Sequence, residues 1–91
     1  MKKYDIEYTH EAIKDIVKLK KSEQAYRKLN ELLKELREHP RTGTGKPKPL
    51  SGNRPDQWSR RITGKHRLVY KIEDETITVL VISTYGHYED K

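Results

Sequence analysis

Residues 3–8 alternate Tyr4, Ile6 and Tyr8 with Lys3, Asp5 and Glu7, the two-residue period of a strand with one face buried. The period then lengthens. Thr9 is placed to cap a helix whose first turn carries Glu11, and Ile13, Ile16, Val17 and the stem of Lys20 form a narrow apolar stripe along it. Ser22 reads as a second cap, and from it Ala25, Leu29, Leu32, Leu33 and Leu36 follow i, i+4, i+7, i+8 and i+11, the clearest helical pattern in the chain. Pro40 and Gly43 end that helix. Residues 41–56 contain three of the four prolines and three of the five glycines, so an irregular loop is expected there.

Two strands are predicted at 58–63 and 66–73, joined by Gly64-Lys65 as a two-residue hairpin turn. Residues 76–83 are the most β-branched run, apolar on both faces in their C-terminal half, and predict a central strand. The hairpin turn sets a register, Thr63 with His66, in which Ile62 lies opposite Arg67 and Arg60 lies beside Val69. In that register Arg60 and Arg67 share one face. Arg61, His66, Leu68, Tyr70 and Ile72 take the other, which meets the helices. The expected fold is α+β: one domain over residues 1–91, with a small twisted antiparallel sheet, two N-terminal helices on one face, and cations on the other.

Composition narrows the possibilities. Of the 91 residues, 32% are hydrophobic and 37% charged, so the core is lean, and a chain this short buries only about 60–65% of its unfolded surface. Such a domain gains from a partner. No apolar run approaches the roughly 20 residues of a membrane helix, and the start MKKYDIEY lacks the apolar stretch of a signal peptide, so a cytoplasmic protein without a membrane partner is expected. Zero cysteines exclude disulfides, zinc–thiolate sites and thiol nucleophiles. The four histidines show no metal-ligand spacing, so the chemistry is expected to need neither metal nor cofactor.

The net charge is +6, and its distribution is more telling than its size. Residues 1–40 balance ten basic against eight acidic side chains, whereas residues 41–71 set nine basic residues against Asp56 alone, a local charge of +8. Nucleic acid is the partner that such a block suggests.

The fragments GTGKPKPL (43–50), WSRRIT (58–63), HRLVY (66–70) and the near-terminal HY (87–88), in this order and spacing, resemble the Txe/YoeB toxins of bacterial toxin-antitoxin systems, within the RelE superfamily. The resemblance covers most of residues 28–88. It implies a RelE-like sheet-and-helix ribonuclease that enters the ribosomal A site and cleaves messenger RNA. It also implies a cognate antitoxin as partner, with operator DNA reached only through that antitoxin. A homodimer stays open.

The chemistry can also be built from the residues. RNA carries its own nucleophile, the 2′-hydroxyl, so cleavage requires side chains that accept its proton, steady the phosphorane charge and protonate the leaving 5′ oxygen. Arg67 resembles the family's phosphate-binding arginine, and a guanidinium grips two phosphate oxygens at once. His87 resembles the general acid, with an ordinary pKa of about 6.5. Tyr88 would stack on a splayed base or orient the phosphate, or else pack on the sheet edge. Lys46, Arg60, Arg61 and Lys65 would bind RNA backbone, unless they only solubilise the chain. Trp58 is a stacking candidate that could equally be a packing residue.

Residue 48 departs from the resemblance. The GKPxPL loop of these toxins typically has glutamate at x, taken as the general base, and this chain has Lys48. Lys48 is then a cationic stabiliser of the transition state, a base of depressed pKa, or the mark of a weakened copy. The tail departs too, with Tyr85-Gly86 where relatives often carry a basic residue before HY. Three functions stand: a ribosome-dependent messenger RNA endoribonuclease; a catalytically weakened binding protein that acts through its antitoxin in operon autoregulation; and a gyrase-directed toxin of ParE type, against which HRLVY and HY argue.

Overall fold

Two hydroxyls start the helices where the sequence places them. The computed structural model of the chain describes residues 3–50 and 56–84. Strand β1 (Asp5–Tyr8) leads into α1 (His10–Leu19), capped by Thr9, whose Oγ1 accepts from the Ala12 amide at 3.0 Å and donates to the Ile82 carbonyl at 2.7 Å. One side chain thus fixes both the start of a helix and its place over the sheet. Helix α2 (Glu23–Glu38) is capped by Ser22, which accepts from the Ala25 amide at 3.3 Å. Its inward side is the predicted one, with Ala25, Leu29, Leu32 and Leu36 buried and Leu33 packed partly against the core.

Helix α1 turns a different face inward from the one expected. Ala12, Asp15 and Leu19 are buried, while Ile13 and Val17 stay 53% and 58% exposed. The buried carboxylate of Asp15 accepts from the Thr84 amide at 3.1 Å, and that bond rotates the helix away from the purely apolar stripe. Only Ile16 of the expected stripe packs, partly, against the core.

The remaining elements are β2 (Lys48–Pro49), β3 (Gln57–Arg61), β4 (Arg67–Glu73), a 3₁₀ turn (Asp74–Thr76) and β5 (Thr78–Ser83). They form one five-stranded sheet in the order β1-β5-β4-β3-β2, with both helices on the side of Leu68, Tyr70, Ile72, Val79 and Val81. The α+β class holds, and β5 lies inside the sheet as its β-branched run implied. The sheet is mixed, however, because β1 pairs with β5 in parallel. Nothing short links the two strands, so no hairpin forces them antiparallel. Nor is the proline-rich segment wholly irregular: Lys48 pairs with Ser59 and Pro49 with Trp58. An edge strand tolerates the amide that Pro49 lacks.

The β3–β4 register corrects the expected one by a single residue. Arg61 lies opposite Arg67 and Arg60 opposite Leu68. The connection is not the two-residue turn assumed from Gly64-Lys65. The amides of Ile62 and Thr63 both reach the His66 carbonyl, at 2.9 and 3.1 Å, and Thr63 Oγ1 accepts from the amides of Lys65 and His66, each at 3.1 Å. A slip of one residue exchanges the faces of a strand. It is therefore Arg60 that joins Leu68, Tyr70 and Ile72 beneath the helices, and Arg61 that shares the helix-free face with Arg67.

The corrected α1 face is testable by chemical denaturation. Leu32→Ala should cost about 2–5 kcal/mol, whereas Ile13→Ala and Val17→Ala should each stay within about 0.5 kcal/mol of wild type. A large loss at Ile13 would reinstate the stripe read from the sequence.

Candidate nucleic-acid interface

The two adjacent arginines of β3 have opposite fates because successive strand residues point to opposite faces. Arg60 is fully buried. Its Nη1 donates to Glu35 Oε1 at 2.9 Å and to the Thr44 carbonyl at 3.2 Å, its Nη2 to the carbonyls of Thr42 (2.7 Å) and His39, and its Nε to the Tyr70 hydroxyl at 3.1 Å. A side chain with no exposed surface cannot serve as the RNA-backbone contact expected of it. The reason is the register, which places it beneath the helices.

Around Arg60 the chain is tightly wrapped. Gly43 has φ +121, and a Cβ there would come within 2.4 Å of Glu35 Oε1; Gly45 has φ +85, and a Cβ there would lie 3.0 Å from the Arg61 carbonyl oxygen. Burial works against ionisation of Glu35, but the Thr44 hydroxyl and amide, together with Arg60, outweigh it and hold the carboxyl below the ordinary glutamate value of 4.5. Burial pushes the Tyr70 phenol up despite Arg60 beside it. The phenol stays protonated and donates to the Pro40 carbonyl at 2.7 Å.

The helix-free face is different in kind. Arg61 and Arg67 stand directly opposite one another on β3 and β4, and Lys48, paired with Ser59, stands one strand further out. Lys48 and Arg61 are exposed and Arg67 half-buried, next to the buried Ser59 and Val69. Among the described residues none of these three cations has a carboxylate within ion-pair distance, unlike Arg60 and unlike Arg41, which holds Asp74 at 2.8 Å. Like charges directly opposite in a sheet destabilise it. An anion between them reverses the sign, and a phosphate matches two guanidinium forks.

Of the other expected site residues, Lys46 is exposed two positions before Lys48, and Lys65 is exposed in the β3–β4 connection. Trp58 lies on the helix side opposite Tyr70, packed partly against the core, which makes it a packing residue. His87 and Tyr88 fall outside the described residues. Sequence reasoning missed Glu35 and Tyr70, whose only signal was position: Glu35 precedes Leu36 at the edge of the buried α2 stripe, and Tyr70 is the polar-tipped member of an apolar row. No cluster of three or more potential metal ligands occurs among the described residues. A cleft of 470 Å³ at the far end of β4 is lined by Asp56, Lys71, Glu73, Asp74 and Glu75, together with Ile72 and Thr76, a net negative set that would repel a phosphate.

A family profile described as the YoeB-like toxin of bacterial type II toxin-antitoxin system matches residues 8–88. The chain belongs to that family. Toxin YoeB of Escherichia coli strain K12 is 43% identical over 84 residues, covering 92% of this chain and 87% of that one. Among solved structures, a YoeB/ParE toxin from Agrobacterium tumefaciens superposes with a TM-score of 0.85 at 32% identity, covering 92% of this chain and 99% of its own. A YoeB-YefM complex from Staphylococcus aureus contains a chain that superposes with a TM-score of 0.80, also at 32% identity, with 93% and 98% covered. Within this YoeB-like scaffold the helix-free cationic face is built from the same WSRRIT and HRLVY segments that carried the sequence resemblance.

The Glu35 cluster predicts an acid limb of stability. A carboxyl whose pKa is lower in the folded state stabilises fully above its unfolded value and loses that contribution as pH falls through the folded one. Thermal stability should therefore drop below about pH 4.5, and Glu35→Gln should be less stable at neutrality but flatter in that acid window. Parallel profiles for the two proteins would show that Glu35 carries none of the acid response.

Proposed function

We propose that this YoeB-like toxin is a ribosome-dependent endoribonuclease that cleaves messenger RNA with the RNA's own 2′-hydroxyl as nucleophile, and that a cognate antitoxin silences it. The observation that carries the reading is the opposed Arg61–Arg67 pair with Lys48 beside it, three cations unpaired among the described residues on the face the helices leave open. A scissile phosphate between the two guanidiniums would relieve their repulsion, and the relief would grow as the phosphorane gains charge. Attack by the 2′ oxygen on phosphorus, its proton passing to solvent water, would break the bond to the 5′ oxygen, leaving a 2′,3′-cyclic phosphate and a 5′-hydroxyl. His87 would supply the proton to that oxygen, and Tyr88 would hold the neighbouring base or phosphate.

Lys48 is best read as a stabilising cation. Its cross-strand neighbours on the open face are Ser59 and, beyond it, Val69, with Arg61 next along β3; the connection from α2 into β2 contains no carboxylate, and Glu35, on the last turns of α2, is committed to Arg60 and Thr44 beneath the sheet. Lys46, Arg61 and Lys65 would add phosphate contacts along the RNA backbone. The Staphylococcus aureus YoeB is recorded in complex with YefM; for this chain an acidic antitoxin segment would order across the same cations and cover Arg61 and Arg67. Lys48 also favours a second reading, a weakened toxin that acts by holding its antitoxin.

Single-turnover cleavage of messenger RNA on reconstituted ribosomes separates the two. Wild type should cleave, and His87→Ala should lower the rate by about 10² to 10⁴ with ribosome affinity nearly intact. Lys48→Glu should reduce activity if the site is built around a cation. An inactive wild type rescued by Lys48→Glu would establish the weakened copy instead, and full cleavage by the His87→Ala, Lys48→Ala double variant would end the catalytic assignment.

A further inference from the structure

The guanidinium of Arg60 has five N–H groups, and the structure gives each a partner: the Tyr70 hydroxyl, the Glu35 carboxylate, and the carbonyls of His39, Thr42 and Thr44. Three of these five acceptors belong to the backbone between the end of α2 and β2. A fourth backbone link reaches the same stretch through Tyr70, whose hydroxyl donates to the Pro40 carbonyl. The neighbouring Arg61 amide takes the Gly45 carbonyl at 2.8 Å. Immediately beyond, Lys46 is held at φ +53, a left-handed conformation that a lysine adopts when its surroundings impose it. The chain then reaches Lys48, whose strand β2 is only two residues long and could not by itself fix where that lysine stands.

We propose that Arg60 is a positioning residue of the site: from beneath the sheet it holds the 39–45 connection, and through it sets Lys48 against Arg61 and Arg67 on the opposite face. Its activity arm rests on the ribonuclease reading above, and its structural arm does not. The device follows from strand alternation. Within three consecutive residues of β3, Ser59 pairs with the strand that carries Lys48, Arg60 grips the connection leading into that strand, and Arg61 faces Arg67. Lysine cannot replace Arg60, because an ammonium has three donors and would release at least two of the five acceptors. Glu35→Gln weakens the same grip from the other side while keeping the shape of the side chain.

The experiment compares Arg60→Lys, Glu35→Gln and a destabilised core control, Ile72→Val, at a temperature where all are folded by circular dichroism. Amide hydrogen exchange over residues 42–46 should accelerate in Arg60→Lys and Glu35→Gln by about tenfold or more beyond any acceleration of the β4 and β5 amides, which report global stability. Single-turnover cleavage at saturating ribosome should fall by up to about 10²-fold, the scale of a catalytic group displaced by about 1 Å, with ribosome affinity unchanged. Lys48→Ala, costly in wild type, should cost little more in the Arg60→Lys background, because residues acting through one another are not additive. Wild-type exchange over 42–46, equal rate loss in Ile72→Val, or full additivity with Lys48→Ala would each overturn the proposal. If Arg60→Lys does not fold, Glu35→Gln decides by the same readouts. If wild type itself does not cleave, the ribonuclease reading falls alone and the exchange measurement still decides the structural arm.

Discussion

A charge buried without compensation is among the most costly things a small domain can contain, and removing one partner of a buried pair typically costs about 3–5 kcal/mol. Arg60 is a buried charge that escapes this cost. It is tolerated because every donor it has is used, and the five acceptors tie together three parts of the chain: the last turns of α2 through Glu35, the following connection through His39, Thr42 and Thr44, and β4 through Tyr70. The glycines at 43 and 45 are consequences of the same wrapping, since a side chain at Gly43 would meet the Glu35 carboxylate and one at Gly45 the backbone of β3. In a chain with so little apolar material, this polar cluster does part of the work that a larger core would do elsewhere.

The same arginine explains how the molecule sorts its cations. The +8 of residues 41–71 is not one continuous surface. Arg60 is neutralised by Glu35 below the sheet and Arg41 is paired with Asp74 at its far end; among the described residues the helix-free face then carries Lys48, Arg61 and Arg67 near β2, with Lys71 further along β4. The acidic residues gather at the other end of β4 around Asp74. A gradient of this kind orients an incoming polyanion before any specific contact forms. The surface proposed to bind RNA is therefore smaller, and more sharply placed, than the charge count suggests.

Most of the scaffold was legible in the residues. The α2 stripe, both helix caps, the β-branched inner strand and the general position of the β3–β4 pair follow from periodicity and capping chemistry that act locally. What was not legible depends on partners far along the chain. The stripe of α1 was misread because Asp15, a polar residue, is buried by a bond to the amide of Thr84, 69 residues away. The parallel pairing of β1 with β5 leaves no local trace. Most consequential was the connection 62–66, read as a two-residue turn from Gly64-Lys65 when Thr63 organises a longer one. That single-residue error moved Arg60 to the wrong face. Arg67 and Lys48 could be proposed as site residues from their motifs, whereas the bonding of Arg60 becomes visible only once its five acceptors are brought together.

The central claim is that β3 divides its two arginines between structure and RNA, and the salt dependence of ribosome binding tests it most directly. Measured over a range of potassium concentrations with folded proteins, Arg61→Ala should lower the slope of log affinity against log salt by about one, the release of one phosphate's counterion, while Arg60→Gln should leave the slope of wild type unchanged. A slope lowered equally by both substitutions would place Arg60 on the RNA and contradict the account.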